Sequence, residues 1–315
     1  MLSKETNKEH LKKAIREVIV FFDLFNYPLT IFEIWKYLRI KCDLDDVIAM
    51  EEDLSNDPII ESRKGFYFLQ GSNINIDIRN KRYNYTHRKF KRAMRIARIF
   101  RFIPWIKMIA VVNIIGPHNL GDNSDIDFFV ITQKKRIWLT RFLCVLITKI
   151  LRLRPKPYNV RDKICLSFFI SENLFNLKEF MLRENVLDSN GFDIYFVYWL
   201  AGLTPIYERG RVYKKFIQAN GWIRSYLPNW QPVKIISYRS KKDKTQNIGN
   251  NKFFDLLEKI LKKYQLKIMP EKIKKIANKD TSVVLGDDVI KTHVNDRRKK
   301  YYHQFYSKLM LTHNS

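Results

Sequence analysis

A chain of 315 residues with 46% hydrophobic and 14% aromatic residues, and only 10 glycines and 10 prolines, has the material for packed cores and no low-complexity or collagen-like pattern. Wholesale disorder is excluded, and at roughly 150 residues per domain the length suggests about two domains. Lys and Arg exceed Asp and Glu by 58 − 32 = 26 charges, so nucleotides, nucleic acid or an anionic membrane face are favoured partners wherever that charge clusters.

In chain order, Leu11, Ile15, Val18, Ile19 and Phe22 recur at helical spacing, and after the Asn26-Tyr27-Pro28 break Thr30 and Glu33 form a capping box that opens a second helix. A third helix is expected from Asp43. Ile59 to Ser62 and Gly65 to Phe68 read as two short strands joined by a turn at Arg63-Lys64. Three helices and a hairpin predict a winged-helix-like module over residues 1–72. In many such modules the third helix enters the DNA major groove. Here Cys42 to Ser62 carries eight acids and no Lys or Arg, which would repel a phosphate backbone.

Arg79 to Arg101 holds ten cations and no acid within a predicted helix that ends before Pro104. Arg88, Lys91, Arg92, Arg95 and Arg98 share one face, opposite Phe90, Ala93, Ala97 and Phe100. That basic face is expected to be available to a polyanion such as a nucleic-acid acceptor, or to be simply solvated. Ile106 to Ile115 and Ser124 to Ile131 read as strands, Ile137 to Leu153 as a helix, and Ile164 to Ile170 as a third strand. Beyond them a helical C-terminal region is expected, with helices at Asp193 to Ala201, Val212 to Tyr226, Phe253 to Leu266 and Asp287 to Leu309, and a polar linker at Ser237 to Asn251. The aromatics Tyr301, Tyr302, His303, Phe305 and Tyr306, beside the basic run Arg297 to Lys300, offer either a base-stacking surface or core.

Cys42, Cys144 and Cys165 are odd in number and far apart, which suits neither a disulfide framework nor a zinc site. The longest stretches without a charged residue, Met108 to Gly121 and Ile194 to Tyr207, are 14 residues each, against about 20 for a bilayer crossing. With acids at Glu5, Glu9 and Glu17 and no small-residue cleavage site, no secretory leader is expected. The expected location is cytoplasmic, with no membrane partner.

The chemistry concentrates in Gly116-Pro-His-Asn-Leu-Gly-Asp-Asn-Ser124-Asp125-Ile126-Asp127. Residues two apart on a strand point the same way, so Asp125 and Asp127 project together while Ile126, Phe128 and Val130 face a core. Two adjacent carboxylates repel unless a cation lies between them, and hard oxygen ligands suit Mg²⁺ bound together with substrate phosphates. An EF-hand loop from Asn123 would need Gly and Glu where Phe128 and Lys134 stand, and a P-loop would need Lys and Ser or Thr where Asp122 and Asn123 stand. Both are excluded.

The Gly-containing turn followed by Ser-Asp-Ile-Asp and an apolar strand resembles the DNA polymerase beta type nucleotidyltransferase superfamily over roughly Ile106 to Ile170. The resemblance implies an α+β fold whose core, residues 73–180, is a small mixed sheet flanked by helices, between the N-terminal winged helix and a C-terminal helical region over 181–315. It implies Mg²⁺-dependent transfer of a nucleoside monophosphate from a nucleoside triphosphate to an acceptor. By motif, Asp125 and Asp127 would be catalytic ligands of two Mg²⁺ ions, and Gly116, Ser124 and His118 would lie along the nucleotide. The sequence departs from the family in two places. Pro117 follows the glycine where a Ser donor is usual, and Ile164 to Ile170 carries no third carboxylate, leaving Asp162 and Glu172 as candidates. These departures keep a catalytically degenerate protein that binds nucleotide or RNA as an alternative. A transcription regulator built on the winged helix is the other.

Overall fold

The computed structural model of the chain describes residues 4–113, 118–182, 192–233 and 251–313. The expected linker therefore lies almost wholly outside the described residues, as does Gly116.

The N-terminal part is α1 (Lys4–Asp23), α2 (Ile31–Tyr37), α3 (Leu44–Ile48), α4 (Glu51–Ser55) and an antiparallel hairpin of β1 (Ile60–Arg63) and β2 (Phe66–Leu69). Thr30 Oγ1 accepts from the Glu33 amide, and the Glu33 carboxylate accepts from the Thr30 amide, so the capping box starts α2 as read. The hairpin turn falls one residue later than expected. Arg63 pairs with Phe66, and Lys64 and Gly65, at φ +54° and +75°, make the two-residue connection, the backbone that matches strand twist.

The long helix α5 (Ile74–Phe100) leads into a six-stranded mixed sheet. β3 (Ile106–Val112) runs antiparallel to β4 (Ile126–Thr132), and α6 (Ile137–Ile150) crosses to β5 (Ile164–Ser171), parallel to β4. Helix α7 (Ile194–Ala201), capped by Asp193, is followed by β6 (Thr204–Glu208), which covers the free edge of β3. Then come α8 (Val212–Ala219), with a separate 3₁₀ turn at Gly221–Ser225, α9 (Lys252–Ile268), α10 (Glu271–Ile276), β7 (Val283–Leu285), β8 (Val289–Thr292) and α11 (Arg298–His313). β8 adds antiparallel to β5, giving the order β6-β3-β4-β5-β8-β7. The C-terminal region is thus not helical throughout. It supplies three strands, and the stretch read as one helix from Asp287 to Leu309 is β8, a polar turn and α11. The run Val289-Ile290-Lys291-Thr292 is too short for periodicity to separate strand from helix.

Strand alternation divides the core in two. Ile109, Val111, Ile126, Phe128, Val130, Leu166 and Phe169 face α5, α6 and α9. Met108, Ala110, Val112, Phe129, Ile131, Phe168 and Ile170 face the opposite way, onto a cluster shared by α1, α2, α7, α8 and α11. Asp127 lies on this second side, in step with Phe129.

Candidate functional site

The two aspartates come together at the start of β4. Asp125 precedes the strand, Asp127 is its second residue, and their carboxylates with the Cys165 thiol offer ligand atoms that all lie within 4.8 Å of one another. Cys165 reaches this side through a bulge. Asp127 pairs with Cys165 but Phe129 pairs with Phe168, so β5 spends one residue more than β4 between those pairs. Strict alternation over the three steps from Cys165 to Phe168 would turn the thiol to the α5 side, and the bulge keeps it beside Asp127.

The carboxylates are strained electrostatically. Withdrawal from water and then the Asp125 charge push the Asp127 carboxyl up to about 6, while hydrogen bonds from Asn113 and Cys165 hold it down. Asp125 is raised by burial, opposed in part by Lys89 and by Cys165. Burial, then the two carboxylates, raise the thiol well above its usual range. A divalent cation would relieve all three shifts at once, and two carboxylates are fitting donors for Mg²⁺. The thiol is a softer donor than a carboxylate. Asp162 and Glu172 do not serve in its place. Asp162 is held by Lys89 and Arg88 beneath the loop, and the Glu172 carboxylate accepts from the Lys134 amide beyond the far end of β4.

Asn113 orients the pair. At φ +60°, its Nδ2 donates to Asp127 Oδ2 at 2.7 Å and its Oδ1 accepts from Trp199 Nε1 at 2.7 Å. Asn tolerates this left-handed backbone better than most residues, so its place directly after an apolar strand is a signal carried by the sequence itself.

A cavity of about 240 Å³ opens beside Asn113, between β5, β8, α7 and the start of α11. Its walls are aromatic, with Trp199 stacked on Phe196 at 5.5 Å and Tyr195 on Tyr301 at 5.1 Å. Its polar lining comes from Lys291, His293, Asn295, Asp296, Arg297 and Arg298. Arg298 is fully engaged, donating to Asp296, Asp193, the Phe180 carbonyl and Thr281. Lys291 donates to the Thr281 carbonyl at 2.6 Å, and burial with the Arg298 charge lowers its amine to about 7. Of this lining, only the basic run from Arg297 and the aromatics from Tyr301 stand out in the sequence. Tyr302 and Phe305 are core, and Tyr301 faces the cavity.

The other sequence-named residues take different places. Ser124 Oγ donates to the Gly121 carbonyl at 3.0 Å, and its own carbonyl accepts from Lys89 Nζ and from the Asp162 amide, so Ser124 locks the loop. His118 is exposed at φ +58°, its ring 4.8 Å from Tyr83. The expectation that the whole basic face of α5 stands available is corrected. Arg88 pairs with Asp122 and Asp162, and Arg92 donates to the Asp162 carbonyl, because the loops before β4 and β5 bring acids and a carbonyl against them. Lys91, Arg95 and Arg98 remain exposed. In the N-terminal part Asp57 is bound by Arg16 and Lys12, whereas Asp43, Asp45 and Asp46 near α3 leave that surface acidic.

No helix among the described residues is long and apolar enough to cross a membrane. Comparison with family models, with curated proteins and with solved structures gives no match.

Proposed function

We propose that the chain is a nucleotidyltransferase of the DNA polymerase beta type, dependent on a divalent cation, that moves a nucleoside monophosphate from a triphosphate to an acceptor. In this reading residues 1–72 are a winged-helix-like module and 73–180 hold the transferase core. The observation that carries it is the pair Asp125 and Asp127, side by side at the start of β4, with Asp127 held by Asn113, which also lines an aromatic and cationic cavity. Asp125 and Asp127 would hold Mg²⁺, which when bound supplies charge neutralisation on the phosphates. Asn113 fixes the Asp127 carboxylate toward that position, the stacked Tyr195 and Tyr301 give a platform for a base, and Arg297 and Lys291 complement phosphate charge. The exposed Lys91, Arg95 and Arg98 suit the backbone of a nucleic-acid acceptor.

The test is transfer of label from α-³²P nucleoside triphosphates to RNA, protein or small-molecule acceptors. Activity that requires a divalent cation and is lost in Asp127→Asn supports the reading, and absence of transfer to all three acceptor classes overturns it. A second reading, a degenerate protein that binds nucleotide without transferring it, is favoured by Cys165 standing where a third carboxylate would be. Triphosphate binding indifferent to Mg²⁺ would select it.

A further inference from the structure

Helix α9 presents an outward face of unusual composition. Phe253, Leu256, Ile260, Tyr264 and Ile268 each expose between 49% and 61% of their surface, and at about 100° per residue they fall within an arc of about 120°. Lys252, Lys259, Lys263 and Lys267 are exposed along one flank of this stripe. Both acids of the helix are already paired, away from the stripe. Asp255 pairs with Arg136 at 2.6 Å, and the Glu258 carboxylate accepts from the Trp138 and Leu139 amides at 2.8 Å, capping α6. The inner face, Phe254, Leu257 and Leu261, is packed on the core beneath α6. Beside the stripe, α6 continues the apolar surface. The Phe142 ring lies 6.2 Å from that of Tyr264, and Leu146, Ile150 and Leu151 are exposed next to exposed Lys149 and Arg152.

Monomeric surfaces seldom gather this many large apolar side chains in one patch. Three properties select the occupant. The patch is bordered by lysines and contains no exposed acid, so a second copy of this chain, carrying the same charge, is repelled. The spacing of the stripe, 3, 4, 4 and 4 residues, follows a straight helix rather than the 3.5-residue repeat of a coiled-coil seam. Apolar side chains mixed with lysine on the outside of a helix that is anchored on its inner face match a bilayer interface, where the chains enter the acyl boundary and the ammonium groups remain at the headgroups. We propose that the α9 face, extended by the end of α6, docks the protein peripherally on an anionic lipid surface.

Co-sedimentation of the full chain with vesicles of phosphatidylcholine, alone or mixed with phosphatidylglycerol, tests this. The expected result is binding to the mixed vesicles only. A net charge of +26 would by itself give some salt-sensitive attraction, so the deciding variant keeps every charge. Leu256→Ser with Ile260→Ser should weaken partitioning by about tenfold or more, with circular dichroism and melting temperature unchanged. Tyr264→Trp should show blue-shifted emission when vesicles are added. Equal binding of wild type and the double serine variant would reduce the interaction to bulk charge and overturn the proposal, as would no vesicle binding at all. A dimer in solution that the same variant dissociates would assign the face to a second copy and also overturn it.

Discussion

Asn113 spends both ends of its amide in opposite senses, donating to Asp127 and accepting from Trp199. Replacing it by Asp keeps the acceptor for the indole and turns the donor into a further negative oxygen beside Asp127. Asn113→Asp should therefore lower stability by about 1–3 kcal/mol in chelator, and added divalent cation should recover part of the loss. Thermal melts with and without Mn²⁺ check this, and a deficit indifferent to the ion would mean that the carboxylates hold none. In the proposed metal site Cys165 would govern the kind of ion. A thiolate ligand favours Mn²⁺, Co²⁺ or Zn²⁺ over Mg²⁺ relative to an all-oxygen set. Cys165→Asp should shift preference toward Mg²⁺ by about tenfold or more, read by calorimetric titration of each ion.

Helix α5 shows how an element builds the site without touching it. Lys89 is fully buried, and its three ammonium protons meet three acceptors, the Asp122 and Ser124 carbonyls and the Asp162 carboxylate. Arg82 donates to Asn119, and Thr86 Oγ1 accepts from the Leu120 amide, so one face of α5 holds the loop that delivers Asp125. Lys89→Met keeps the volume and leaves the acceptors without that donor. It should cost about 3 kcal/mol in denaturant unfolding and lower metal affinity through the loosened loop. This arrangement was only half legible in the sequence. The helix, its apolar face and the paired aspartates follow from periodicities of 3.6 and 2, which are local. The acids that meet Arg88, Asp122 before β4 and Asp162 before β5, are 34 and 74 residues from it in the chain, so a cation-rich stretch reads the same whether its partners are in the protein or outside it. β8 was missed for a related reason. Lys291 sits mid-strand as a charge in a buried position, and only the cavity gives it a purpose. Its folded-state amine is held at about 7 instead of 10.5. Between those values the unfolded chain binds a proton that the folded chain lacks, so stability rises with pH across that window, and below it the full cost of charging is carried. Lys291→Met should therefore raise the melting temperature at about pH 6, by the equivalent of at most roughly 5 kcal/mol, with the gain shrinking toward about pH 10, while triphosphate binding weakens. A melt series across pH tests the first part, and a gain that does not vary with pH would place its origin in packing.

Across the whole molecule, the sheet separates two cores but does not separate the N-terminal helices from the C-terminal ones. The Phe21 ring stacks on Tyr198 of α7 at 4.4 Å and meets Phe305 of α11 edge-on at 5.9 Å. Tyr198 Oη donates to the Tyr37 carbonyl at 3.0 Å, and Asn229 Nδ2 donates to the carbonyls of Trp35 and Ile40. Lys308 pairs with Asp23 across the same boundary. These contacts place Phe21, Tyr198 and Phe305 in one cluster with Phe129 and Phe168, which line the cavity side of the sheet. Removing residues 1–72 would uncover that cluster beneath the cavity, and large buried aromatics left bare cost several kcal/mol each. Full-length protein should accordingly unfold in one calorimetric transition, and residues 73–315 should be insoluble or lack near-ultraviolet circular dichroism. Two resolved transitions, or a soluble and active 73–315 fragment, would mean that the N-terminal helices are an independent module and that the shared aromatic cluster is dispensable to the site.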